Sequence, residues 1–447
     1  MSVAPARSSA LAVLGRVRRD GAFSGAALAA ELRSGRLSAD DVALATRLTY
    51  GVLGTEGVLD EVIDRFLRRG AEPRIRDVLR LAAFELLYGR APAYAVVDQA
   101  VAAARAIRPQ AAGLVNAVTR RVADEASEFP WGDPATDRDA LARVSACPRW
   151  IVDEYLSSLG DEHGREALIA CADPAPAYVR VDPFAAPIDE TRALLESAAP
   201  VQTPPDVDCY RLERPAALRG AGAGQGWFSM DAAAQLAPSA CSPQPGERVL
   251  DAGAGRGNKT VCLQALAMRA GGAAGITALE LHPGKVARLR ERLDLSGVPG
   301  VTVEVADARE SAQRLGRGMF DIALLDAPCT GLGTLRRYPE KRWRLGPDDI
   351  GRMAGLQRSL LEGVAGAVRP GGRVVYSTCS VAHAENEDVV REFLESPAGR
   401  EFIVEEFDAI VPDAWNAFVT GAGMFQSWPV AGGPDGHFVA VVRRNGA

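Results

Sequence analysis

Apolar residues recur along the first 130 or so residues at the spacing of a helix. Leu79, Ala82, Ala83 and Leu86 fall at i, i+3, i+4 and i+7, which lays one apolar stripe along a helix that Gly89 can close. Residues 113–122 repeat the pattern, with Val115, Val118 and Val122 inward and Arg120 and Arg121 outward. From Glu247 onward the period changes. Short apolar runs predict strands at 248–250, 276–279, 301–305, 322–325, 373–377 and 438–442. Between them, Val286, Leu289 and Leu293 mark one helix within 284–295, and Ile350, Met353, Leu356 and Leu360 mark another within 348–368. Alternating strands and helices predict a parallel or mixed sheet covered on both faces, with its ligand at the carboxyl ends of the strands.

The two patterns are separated by chain of another kind. Residues 128–137 carry Pro130, Gly132 and Pro134, residues 172–187 are punctuated by proline around an extended run at 178–181, and a glycine-rich stretch covers 220–226. The expected fold is therefore multidomain. It comprises an all-α bundle over residues 1–140, a small α+β connecting subdomain over 141–240, and an α/β, Rossmann-like domain over 241–447.

Composition narrows the function classes. The 447 residues are 47% hydrophobic and 24% charged, which is globular, and exceed what one core usually organises. No run approaches the roughly 20 apolar residues of a membrane helix, and residues 1–10 lack the apolar centre of a signal peptide, so a cytoplasmic protein without membrane contact is expected. Seven scattered cysteines and four distant histidines suggest free thiols and no metal. The net charge of −6 argues against broad phosphate binding. It is uneven: residues 1–145 hold 20 Arg, no Lys and 18 acids, a net of +2, leaving −8 for the rest. Any RNA contact must come from local patches.

The candidate chemistry sits at the strand ends. Val249-Leu250-Asp251-Ala252 runs into Gly253-Ala254-Gly255-Arg256-Gly257, a strand followed by a turn whose glycines let backbone approach a ligand. Such a loop alone suits nicotinamide, flavin and adenosylmethionine sites alike. Glu280, at the end of the second strand, can accept both ribose hydroxyls. Asp307, after the third, can accept from an adenine amino group. Each acid alone reads as an ordinary surface carboxylate; together they describe an adenosyl pocket of the methyltransferase kind.

Asp326-Ala327-Pro328-Cys329 follows the fourth strand and Ser377-Thr378-Cys379-Ser380 the fifth. A single cysteine there is usually a small buried hydrophobe, but two beside a methyl-donor pocket suit one reaction. Carbon 5 of cytosine is too electron-poor to take a methyl group until a nucleophile adds to carbon 6, and a thiolate is both nucleophile and leaving group. Asp326 can support protonation of ring nitrogen 3. Cys379 is taken as the nucleophile and Cys329 as the group that assists elimination.

At these motifs the chain resembles the RsmB (Fmu/Sun) family of 16S ribosomal RNA cytosine-5 methyltransferases. The resemblance implies that Cys379, of the Thr-Cys pair, attacks and that Cys329, of the Pro-Cys pair, aids release. It implies a cofactor set of Gly253, Ala254, Gly255, Arg256, Gly257, Asn258, Lys259, Glu280, Asp307 and Asp326 for S-adenosylmethionine. Tyr50-Gly51-Val52-Leu53, Glu85-Leu86-Leu87-Tyr88 and Gly113-Leu114-Val115-Asn116 are similar to a NusB-like RNA-binding domain. Further matches are Met230-Asp231 with Gln235, Glu385-Asn386 and Asp435-Gly436-His437-Phe438. One departure stands out: the family usually has Ala-Pro-Gly-Gly-Lys-Thr where this chain has Gly255-Arg256-Gly257-Asn258-Lys259-Thr260, so Arg256 and Asn258 could alter cofactor affinity.

Arg336, Arg337, Tyr338, Lys341 and Trp343 mix cations with aromatics just behind Cys329, a composition suited to a single-stranded or flipped RNA target. RNA contact is expected there, with 16S RNA or a partly assembled small subunit as partner and a monomeric protein. Two other readings compete. One is an RNA-binding, antitermination-type factor with a relic methyltransferase domain, which retention of the two thiols and three acids disfavours. The other is a DNA cytosine methyltransferase, which the Thr-Cys thiol and the helical region disfavour.

Overall fold

The protein is described from a computed structural model, which covers residues 3–22, 24–33, 37–67, 69–218, 226–407 and 411–446. The glycine-rich stretch lies outside these residues except for Gly226. Among the described residues no helix is long and apolar enough to cross a membrane. The chain forms two units: residues 1–153 with Leu335–Leu345, and residues 154–334 with Gly346–Ala447.

The first unit is helical. Pro5–Arg19, Ser24–Leu32, Ala39–Gly54, Glu56–Asp64, Pro73–Leu87, Ala93–Ile107, Ala112–Glu125 and Arg138–Ser145 are its main helices. Local chemistry starts several of them. Ser38 accepts the Asp41 N–H at the start of Ala39–Gly54, where Asp40 and Asp41 also suit the helix dipole. Proline opens Pro5–Arg19 and Pro73–Leu87, positions where a missing N–H costs nothing. Leu79, Ala82 and Ala83 are buried, as are Val115, Val118 and Val122, in one core with Leu14, Leu48 and Ile63. Arg120 and Arg121 are exposed. The unit runs past residue 140, because Arg138–Ser145 packs with it: Tyr88 donates to Arg143 O at 2.8 Å.

The second unit holds two sheets. Four strands, β1 (Ala177–Val181), β2 (Pro200–Gln202), β3 (Cys209–Leu212) and β4 (Trp227–Ser229), form an antiparallel sheet in the order β2-β3-β1-β4. The main sheet is built from β5 (Arg248–Ala252), β6 (Gly275–Glu280), β7 (Val301–Val305), β8 (Phe320–Asp326), β9 (Val368–Thr378), β10 (Phe402–Glu405), β11 (Phe425–Gln426) and β12 (Phe438–Arg444). Its order is β10-β12-β9-β8-β5-β6-β7, with β11 beside β12. Strands β5 to β9 pair in parallel and β12 runs antiparallel to β9. All six strands expected after Glu247 are present, most of them longer than the apolar run that signalled them. The central strands are apolar almost throughout because both faces are covered. The region 141–240 is not a separate unit, since Tyr178 and Cys209 share a core with Val249, Ile276 and Val375 of the main sheet.

Candidate functional site

Strand β5 ends at Ala252, and the next residues turn through three left-handed glycines, Gly253 (φ +84°), Gly255 (φ +59°) and Gly257 (φ +82°). A Cβ on Gly253 would lie 2.7 Å from the Asp326 carbonyl oxygen, a backbone atom that cannot step aside. Gly253 N–H and Ala254 N–H both donate to Leu279 O, at 3.0 and 2.9 Å, so the loop is tied to the end of β6. Helix Asn258–Arg269 begins directly after Gly257.

The two residues that depart from the family pattern are accommodated. Arg256 is exposed. Asn258 accepts from Arg292 through Oδ1 and donates to Ser229 O at 3.4 Å, so its side chain belongs to the wall around the loop. Arg292 also lies over the Phe228 ring, 4.5 Å from the centroid, and burial lowers its pKa.

Acids stand at the ends of β6 and β7 and inside β5. Glu280 is almost buried, accepts the His282 N–H at 2.9 Å and lies 3.5 Å from Lys285 Nζ. Asp307 accepts from Arg309 Nε at 2.9 Å, and the hydrogen bonds from Arg309 hold its carboxyl below the usual range. A carboxylate has further lone pairs, so neither acid is used up by these contacts. Asp251 had no role assigned from sequence. It is fully buried, accepts from Thr260 Oγ1 at 2.6 Å through Oδ2, and its Oδ1 has no hydrogen-bond partner among the described residues. Burial pushes its carboxyl up to about 6, against the Thr260 hydrogen bond. Its only signal in the sequence is an acid inside an otherwise apolar strand. Open glycine backbone, acids at successive strand ends and an orphaned buried oxygen fit a nucleoside-bearing methyl donor.

Strands β8 and β9 are neighbours with Asp326 opposite Ser377, so the chain leaving each one carries a cysteine to the same place. Cys329 Sγ and Cys379 Sγ are 3.3 Å apart, and the Cys379 N–H points at Cys329 Sγ at 3.4 Å. The other five cysteines are buried. The side-chain hydrogen bond that the Cys329 thiol makes to Cys379, then burial, then the nearby charges of Cys379 and Glu385 push the Cys329 thiol well above its usual value, against the Cys379 N–H. Asp326 Oδ2 lies 2.6 Å from Lys259 Nζ, which joins the glycine loop to the thiol loops. Burial works against the Lys259 charge, but Asp326 and then Cys379 outweigh it and the pKa rises.

The segment expected to contact RNA is arranged differently from that expectation. Leu335–Leu345 packs with the helical unit. Trp343 Nε1 donates to Gly54 O at 2.9 Å, and a Cβ on Gly57 would lie 2.1 Å from the Trp343 ring. Arg342 is buried and donates to Ser145 O at 3.2 Å, and Arg336 is only 8% exposed. Trp343 thus serves packing, because Gly57 leaves room for its ring, and Gly54 likewise admits Pro339. Arg337 is half-buried. Tyr338 is 52% exposed with Lys341 Nζ 5.1 Å from its ring centroid, and this pair remains at the surface.

Residues 238–443 match the family model of the 16S rRNA methyltransferase RsmB/F, and residues 4–124 match the NusB family. A Mycobacterium tuberculosis methyltransferase is 34% identical over 98% of this chain and 96% of its own. The ribosomal RNA small subunit methyltransferase B of Salmonella enteritidis is 33% identical over 79% of this chain and 82% of its own. The crystal structure of PH0851 superposes with a TM-score of 0.80 at 25% identity, covering 99% of this chain and 100% of that one. The chain belongs to the RsmB/F family of S-adenosylmethionine-dependent rRNA methyltransferases, with a NusB-family helical domain at its amino-terminal side.

Proposed function

We propose that this protein methylates carbon 5 of a cytosine in 16S ribosomal RNA through a covalent bond between Cys379 and carbon 6 of the base. The observation that carries this reading is the pair of thiols at adjacent strand ends, 3.3 Å apart, beside the Lys259–Asp326 ion pair. The glycine loop with Glu280 and Asp307 would hold S-adenosylmethionine, which would supply an electrophilic methyl group and leave as S-adenosylhomocysteine. Cys379 Sγ adds to carbon 6 as a thiolate, and its electron pair makes the ring an enamine nucleophilic at carbon 5. Asp326 is steadied by the Lys259 ammonium and can accept the hydrogen bond of a nitrogen 3 that takes a proton from solvent in this step. Carbon 5 would thereby be ready to take that methyl group. The carbon 5 proton passes to water, the double bond between carbons 5 and 6 reforms as the Cys379 thiolate leaves, nitrogen 3 returns its proton to solvent, and Cys329 assists this release.

Covalent capture tests the assignment. Cys379→Ala should abolish both turnover and the protein–RNA adduct, whereas Cys329→Ala should permit attack and accumulate the adduct. An adduct that survives Cys379→Ala and vanishes in Cys329→Ala would reverse the roles of the thiols. Titration calorimetry with S-adenosylmethionine addresses the competing reading, because a chain that binds no donor would act only as an RNA-binding factor.

A further inference from the structure

Glu385 is one of the most enclosed carboxylates in the protein, with no exposed surface, and the methyl-transfer steps above do not use it. It lies in the turn His383–Glu385, just before helix Glu387–Glu395. Its Oε1 accepts from Thr330 N at 2.8 Å and Gln357 Nε2 at 3.1 Å, and its Oε2 accepts from Thr330 Oγ1 and Ser380 Oγ, both at 2.5 Å. Two of these groups are N–H donors that cannot accept, and a carboxylate can take all four without a proton of its own. Thr330 follows Cys329 and Ser380 follows Cys379. One side chain therefore ties together the residues immediately after both thiols.

Neighbouring groups support the same geometry. Asn386 accepts from Thr378 Oγ1 at 2.6 Å and donates to Ser380 O at 3.0 Å, which fixes the backbone on either side of Cys379. Gln357 also donates to Pro328 O at 2.9 Å, on the other side of Cys329. Charge is distributed unevenly around the sulfurs. Glu385 is hydrogen-bonded to the peptide N–H that directly follows Cys329, and its charge is among the groups that raise the Cys329 pKa, after the Cys379 hydrogen bond, burial and the Cys379 charge. The Lys259 ammonium is instead coupled to Cys379, after Asp326. Three of the four bonds to Glu385 come from Thr330 and Gln357, which hold the chain on either side of Cys329, and one from Ser380, so the carboxylate is held mainly by the Cys329 side.

We propose that Glu385 is the positioning residue of the thiol pair, holding Cys329 and Cys379 at contact distance and placing a fixed negative charge beside Cys329, so that Cys329 keeps its proton and Cys379 is the sulfur that attacks. This deepens the cytosine-5 reading and rests on it. A buried carboxylate is costly unless fully hydrogen-bonded, and four donors arranged around two reactive loops satisfy that condition where it also orders the chemistry.

Alkylation of the full-length protein at neutral pH, without RNA or methyl donor, separates this role from a purely structural one. Iodoacetamide labelling is followed by mass spectrometry at Cys329 and Cys379. In the unaltered protein Cys379 should be labelled first; faster labelling of Cys329, or equal rates, would overturn the proposal whether or not any variant folds. In Glu385→Gln the preference for Cys379 should fall severalfold, because the negative charge that disfavours the Cys329 thiolate is removed. Glu385→Asp, which keeps the charge but shortens the reach, should retain more of the preference while still slowing single-turnover methylation. A labelling preference unchanged in Glu385→Gln would leave only a packing role and sink the proposal. Because labelling needs no RNA, a normal labelling pattern in a protein that makes no 5-methylcytosine would refute the cytosine reading and not the thiol bias.

Discussion

Asp251 joins a strand residue to the chemistry of the glycine loop. Its pKa of about 6 lies above the ordinary 3.8, so the folded state holds this proton more tightly than the unfolded chain does. The resulting stability is complete below about pH 4 and is lost as pH rises through 6, amounting to about 3 kcal/mol for a shift of this size. Asp251→Asn cannot titrate. Its thermal midpoint relative to the unaltered protein should therefore rise between pH 4 and pH 7, and a constant difference would show that the carboxylate is not strained. Gly253 makes a second test at this scale. With φ at +84° and a backbone oxygen 2.7 Å from a new Cβ, Gly253→Ala should weaken S-adenosylmethionine binding about tenfold or more, measured by calorimetry, and unchanged affinity would remove this loop from the donor site. The cysteines and the three strand-end acids could be recognised from residue type and spacing. The burial of Asp251 and the four contacts of Glu385 could not, because their partners are scattered along the chain.

Among the elements, Leu335–Leu345 shows where a composition argument stops. Cations interleaved with aromatics read equally well as an RNA-binding surface or as a segment whose aromatic residues anchor it. The outcome depends on Gly54 and Gly57, some 280 residues earlier, which admit Pro339 and Trp343. Gly57→Ala should thus lower the unfolding midpoint of the helical unit by several degrees, as overpacking costs about 1–3 kcal/mol. No loss of stability would mean that Trp343 moves aside freely. Replacing Tyr338 and Lys341 together with Ala should leave the midpoint nearly unchanged and weaken RNA binding, since both lie at the surface. An equal effect on stability in the two experiments would erase the distinction drawn between packed and exposed residues.

At the scale of the whole molecule, a net charge of −6 limits how an RNA partner can be held. A few local cations imply a shallow salt dependence: three phosphate contacts on a single strand correspond to a slope of about −2 in log affinity against log salt. A slope as steep as about −5 for a 16S-derived RNA would demand a broad basic face and contradict this.

The sequence by itself determined the order of elements, because hydrophobic period is a local property: 3.6 over the first unit and short buried runs after Glu247. It also determined the glycine loop, the strand-end acids and the two cysteines, since a turn and a strand end are set by neighbours in the chain. Only the tertiary structure decided that β8 and β9 lie side by side and bring the sulfurs to 3.3 Å, that 141–240 shares a core with the main sheet, and that Trp343 is packed against glycine. Each of these depends on contacts between residues far apart in sequence, whose free energy comes from burial and hydrogen bonding in three dimensions and leaves no periodic trace along the chain.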